Sequence, residues 1–213
     1  MSECITKDDF RRMVAGAAAE IRLNHLMLGE LDCAAGDGDH GATMLRAVEK
    51  LEKAFALDGT DDLKICLSAA GWSVLGVDGG ASSSLLGVFF GGMADAGSND
   101  LTDMFEAGLA AVRKQTKAQP GDKTMMDALV PAIIALRRAA NAGKSLEEAL
   151  YDAAASARAG AEATRNLQAR YGRAKFLGAK TLGVPDPGAT SISLLFEGFY
   201  NGLTSSKGEP TNA

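Results

Sequence analysis

The chain has 213 residues, 46% hydrophobic and 23% charged, with a formal net charge of −5; that allows one sizeable core and leaves little for a second. An acidic balance without a dense Lys/Arg block argues against nucleic acid or an anionic membrane as partner, and no run of about 18 apolar residues is present to span a bilayer. Three cysteines, Cys4, Cys33 and Cys66, with no CxxC spacing, argue against a disulfide framework or zinc site and point to a reduced, cytoplasmic setting.

Apolar residues recur at helical spacing, and the alternation of strands is nearly absent. Phe10, Met13, Val14, Ala17, Ile21 and Leu28 form the first stripe. Met44, Val48, Leu51 and Phe55 form the second, Leu63, Cys66, Ala70 and Val74 the third, and Leu85, Phe89 and Met93 the fourth. Leu101, Phe105, Leu109 and Val112 follow, then Met126, Leu129, Ile133 and Leu136 with Pro131 as an expected irregularity. Leu146, Leu150, Ala153, Ala157 and Ala161 make a small-residue stripe, and Ile192, Leu195, Phe196, Phe199 and Leu203 the last. Eight helices with short links favour antiparallel neighbours, and alanine-rich faces let axes approach closely. The expectation is an all-α single domain over residues 1–204 with a disordered tail at 205–213.

Four polar, glycine-rich segments interrupt this background: GDGDHG at 36–41, DGGASSS at 78–84, PGDKT at 120–124 and PDPGATS at 185–191. They precede the second, fourth, sixth and eighth helices. In an up-and-down bundle those starts share one pole, so the four segments converge there. Helix starts offer unpaired N–H groups and a positive dipole end, which suit phosphate. Asp32, Asp37 and Asp39 would repel a bare phosphate but attract one through Mg²⁺, a hard ion that takes oxygen ligands.

Each segment also has a plainer reading. Asp39 is placed to cap the second helix, Asp122 the sixth and Asp186 the eighth. Lys123 reads either as a solvated charge or as a phosphate contact. His40 reads as a hydrogen-bonding residue ahead of a general base. Cys33 reads as packing, and Met125 and Met126 as core ahead of an adenine contact. No Walker lysine pattern is present, and an EF-hand would need a late glutamate where Val48 stands.

In order, LDCAAGDGDHG, GGASSSLLG, PGDKTMMDALVP and GRAKFLGAKTLGVPDPGATS resemble the motifs of the dihydroxyacetone kinase L-subunit family, from about Leu31 to Ser191. The resemblance implies a barrel of eight antiparallel amphipathic helices with nucleotide at one end. It implies that Asp32, Asp37 and Asp39 bind two Mg²⁺ ions bridging the phosphates of ADP or ATP. It implies a nucleotide pocket of His40, Gly41, Ala42, Thr43, Ala81, Ser82, Gly121, Met126, Lys180, Asp186, Pro187 and Gly188. Three positions depart from the family pattern: Ser83 and Ser84 replace a Gly-Pro pair, and Lys180 stands where arginine is common.

The function expected is phosphoryl transfer from Mg-nucleotide to dihydroxyacetone or a related small ketose. The resemblance places that ketose on a separate K subunit, with no catalytic base required from this chain. A phosphoenolpyruvate-dependent phosphocarrier subunit is a second expected partner if ADP stays bound and is recharged. The rival expectation is a non-catalytic Mg-ADP module that regulates a partner such as a transcription factor.

Overall fold

The computed structural model describes residues 4–34, 36–56 and 59–205; the expected tail past Ser205 lies outside the described residues. Eight α-helices occur among them: α1 (Lys7–Cys33), α2 (His40–Phe55), α3 (Leu63–Leu75), α4 (Gly80–Met93), α5 (Leu101–Gln115), α6 (Met126–Asn141), α7 (Leu146–Ala163) and α8 (Pro187–Thr204). Two 3-10 segments, Thr164–Asn166 and Arg173–Thr181, lie between α7 and α8. The described residues hold no strand, only an isolated bridge between Cys4 and Asp100.

The helical stripes become the core. Phe10, Met13, Val14, Ala17, Ile21 and Leu28 of α1 are all buried, as are Met44, Val48, Leu51 and Phe55 of α2. Each helix packs on its sequence neighbour, and α8 packs back on α1, which closes the ring. The inside is filled. Phe10 stacks on Phe55 with centroids 5.0 Å apart, and Phe89, Phe90, Phe105, Phe196 and Phe199 continue as edge-to-face pairs. Burying each ring contributes on the order of 2–3 kcal/mol.

Glycine seams set the close spacing. A methyl group at Gly16 of α1 would overlap the backbone of Gly198 and Gly202 in α8, and one at Gly71 of α3 would overlap Gly91 in α4. Pro131 leaves α6 continuous. It has no N–H for the Asp127 carbonyl four residues back. Gly160 of α7 lies directly against that same carbonyl, so close that any side chain there would collide with it. The expected irregularity is thus accommodated at a helix–helix contact.

Candidate functional site at one pole of the barrel

The caps of the eight helices differ by pole. At the far pole every helix start has a side-chain cap. Thr6 accepts from Asp9 N in a capping box, Asp62 accepts from Lys64 N, Asp100 from Asp103 N, and Ser145 from Glu148 N in a second box. At the opposite pole, the cap residues Asp39 of α2, Gly79 of α4 and Met125 of α6 supply no such bond. Only α8 is capped there, with Asp186 Oδ2 accepting from Ala189 N at 2.8 Å. Elsewhere at this pole, Thr124 Oγ1 accepts from Met126 N at 3.2 Å and Asp32 Oδ2 from His40 N at 3.3 Å. N–H groups at the start of α4 are therefore left for a ligand.

These starts surround one open cavity of about 580 Å³, within the range of small-ligand sites. Its walls include Asp32, Asp37, Asp39, His40, Gly79, Gly80, Ala81, Ser82, Met125, Met126, Asp186, Pro187 and Gly188. Segments more than a hundred residues apart in sequence meet here, as the antiparallel order requires. Gly80, with φ +71°, turns the chain into α4. The two serines that depart from the family pattern brace that turn: Ser83 Oγ donates to Val77 O at 3.0 Å and Ser84 Oγ to Gly80 O at 3.1 Å.

Of the expected pocket residues, five do not line the cavity. Gly41 is a packing residue, since a side chain there would strike the His25 carbonyl of α1. Thr43 is fully buried against Gly79, and its Oγ1 accepts from Arg46 Nη2 at 3.1 Å. Ala42 points to solvent in the first turn of α2. Gly121 has φ +100° and donates to Asp127 Oδ1 at 2.6 Å, which shapes the loop behind the wall. Lys180 is exposed near the end of the second 3-10 segment, outside the wall.

Among the described residues, Asp32, Asp37 and Asp39 form a group able to hold a metal ion, with one oxygen of each within 4.8 Å of the others. Asp39 occupies the cap position of α2 without capping it, so its carboxylate is not spent on the helix start. The donor set is all oxygen and anionic, which fits Mg²⁺. Arg173 forms an ion pair with Asp37. That guanidinium holds the Asp37 carboxyl below the usual carboxylate range.

Other polar residues at this pole are structural. His40 is buried, with Nε2 3.1 Å from Ser191 Oγ, and burial holds its pKa below the ordinary value. It is engaged and has little tendency to take a proton. Lys123 is buried rather than solvated. Its Nζ donates to the carbonyls of Thr164 at 3.0 Å, Thr181 at 2.5 Å and Val184 at 2.6 Å. Asp122 does not cap α6; it accepts from Gln119 N at 2.8 Å and pairs with Arg170 at 3.2 Å. Cys33 is exposed, not packed.

Sequence reasoning missed Tyr171, Gly172, Arg173, Ala174, Lys175 and Phe176, which form one wall. They lie within YGRAKFLGAKTLGV, a glycine-punctuated basic and aromatic stretch, which was the available signal.

The DAK2 domain family model matches residues 34–201. The chain is 35% identical over 196 residues to the ADP-binding subunit DhaL of PEP-dependent dihydroxyacetone kinase 1 from Listeria innocua, covering 89% of this chain and 93% of that one. It is 37% identical over 174 residues to the ADP-binding subunit DhaL of the Escherichia coli PEP-dependent dihydroxyacetone kinase, covering 78% and 83%. Among solved structures it resembles the dihydroxyacetone kinase of C. freundii in complex with AMP-PNP and Mg²⁺, with a TM-score of 0.72 and 27% identity. That match takes in 90% of this chain but 33% of the kinase, so the chain spans about a third of the kinase's length.

Proposed function

The chain belongs to the DAK2 domain family, and on that premise we propose that it is the nucleotide-binding, phosphoryl-transfer subunit of a kinase for dihydroxyacetone or a related small ketose. One observation carries this reading: three carboxylates and the starts of α2, α4, α6 and α8 face a single cavity. Asp32, Asp37 and Asp39 would hold Mg²⁺, two ions by the family pattern. Bound there, Mg²⁺ supplies neutralisation of the phosphate oxygens and aligns the group transferred.

The chain's own residues do the rest. Backbone N–H groups at the start of α4, where Gly80, Ala81 and Ser82 line the cavity and the cap residue supplies no side-chain bond, donate to phosphate without reorganisation. Met125, Met126 and Leu85 offer an apolar surface for the base. His40 is tied to Ser191, so this chain contributes placement and electrostatics and no general base. The acceptor hydroxyl comes from a ketose held by a K-type partner subunit in the cytoplasm. Either ATP or a phosphocarrier subunit that recharges bound ADP supplies the phosphoryl group. Relatives named as ADP-binding subunits of PEP-dependent kinases support the second route.

The test is Asp37→Ala, read by calorimetric titration with Mg-ADP and by circular dichroism. Asp37 is exposed, so helical content stays unchanged while nucleotide affinity falls at least about tenfold. Unchanged affinity rejects the metal assignment. Turnover with a K-type partner, ketose and donor then separates the kinase subunit from a purely regulatory module.

A further inference from the structure

The segment from Tyr171 to Leu182 is a strap that borders the cavity through Tyr171–Phe176, and its ends are fixed. At one end Arg170 N donates to Asp122 O at 3.1 Å, and the Arg170 side chain meets the Asp122 carboxylate at 3.2 Å. At the other end buried Lys123 holds the carbonyls of Thr181 and Val184. Thr181 Oγ1 donates to Gly178 O at 2.8 Å and accepts from Ala169 N at 3.1 Å. Between these anchors lie Gly172 at φ +62° and Gly178 at φ +57°, conformations that favour glycine and give the strap two points of easy rotation.

Arg173 sits just beyond the first of these glycines, and its guanidinium is paired with Asp37. The side chains are 63% and 49% exposed. An exposed pair of this kind is weak and exchangeable, whereas the anchors at Lys123 and Thr181 are buried. The Arg173–Asp37 contact is therefore weaker than the anchors at Lys123 and Thr181. One guanidinium also cannot neutralise three carboxylates, so the triad still attracts a further cation.

We infer that Arg173 is the resident counter-ion of the aspartate triad, competing with the divalent ion for Asp37 and, once displaced, turning on the strap to meet the nucleotide's phosphates. The inference rests on the metal reading proposed above. It makes Arg173 a binding residue that offsets the triad's charge before the ion arrives and contacts phosphate after it. The planar fork suits both partners, a carboxylate before loading and a phosphate after it.

The test compares wild type, Arg173→Ala and Arg173→Lys on two ligands. Mn²⁺ alone is titrated by the electron paramagnetic resonance of the free ion, and ADP is titrated calorimetrically at saturating Mg²⁺. Removing the competitor tightens Mn²⁺ binding in Arg173→Ala by roughly two- to fivefold, the scale of an exposed ion pair. The same variant weakens ADP binding severalfold, because a phosphate contact is lost. Arg173→Lys, which keeps the charge, leaves Mn²⁺ affinity near wild type. A variant that weakens both ligands marks a merely structural role and overturns the inference, as does no change in either. Wild type that binds neither Mn²⁺ nor Mg-ADP overturns the proposed function as well, and so is told apart from failure of the inference alone.

Discussion

Two side chains at the rim show how burial redefines ordinary residue types. Lys123 has φ +60°, unusual for a residue with a side chain. Three carbonyl acceptors offset that strain and tie PGDKT to the segment before α8. Asp186 lies beside it as the cap of α8. Burial raises its pKa to about 7, with the Asp127 carboxylate adding to the rise and the Ala189 N–H and Lys123 opposing it. The unfolded chain ionises this carboxyl near 3.8, so it releases its proton earlier than the fold does. Its contribution to stability is fully present below that pH and is lost as pH rises through about 7. Asp186→Asn keeps the cap, because asparagine caps as well as aspartate, and removes the titration. Urea denaturation of nucleotide-free protein from pH 4 to 8 should show a downward slope in wild type that flattens in the variant. Parallel profiles would refute the assignment.

At the scale of elements, the barrel separates two kinds of helix end. Helices α1, α3, α5 and α7 start with capped N–H groups, and their pole needs nothing further. The start of α2 is met only by Asp32 from the end of α1, and the start of α4 has no capping side chain, which makes it less stable alone and available to anions. The seams between helices rely on glycine for approach. In α8, a methyl at Gly198 would overlap the Ala17 backbone, whereas one at Gly91 of α4 meets only Gly71 Cα at 3.9 Å. Gly198→Ala should therefore destabilise by roughly 3 kcal/mol through overpacking. Gly91→Ala should be neutral or stabilise by up to about 1 kcal/mol through helix propensity. Denaturant midpoints measure both, and equal shifts would contradict the seam geometry.

For the whole molecule, the filled aromatic interior and the open polar rim divide stability from binding. Phenylalanine rings occupy the core, while the rim carries the acidic cluster and the cavity. A ligand that binds only the folded rim stabilises the whole ring by linkage. At a concentration a hundred times its dissociation constant, Mg-ADP contributes about 2.7 kcal/mol. For a chain of this size that raises the melting temperature by about 5–10 °C. ADP with a chelator in place of Mg²⁺ should give a clearly smaller rise in differential scanning calorimetry. Equal rises would mean that the carboxylates take no part in binding through a metal.

Helix number, phase and the acidic triad were legible in the linear chain because they depend on short-range spacing. A 3.6-residue period declares a buried face, and three aspartates within eight positions are close in any compact loop. The convergence of four turns followed once antiparallel order was assumed, since alternation alone assigns each start to a pole. The remaining features depended on which surfaces the closed ring brings together. Nothing near Asp37 in sequence announces Arg173 as its partner. Nothing in PGDKT shows that Lys123 is enclosed by the carbonyls of Thr164, Thr181 and Val184. Gly41 and Thr43 belong to a nucleotide-like motif yet are consumed by helix contacts, because the first turn of α2 presses on α1 and on the turn at Gly79. Local pattern sets which residues are available at a rim, and long-range packing decides which of them face the cavity.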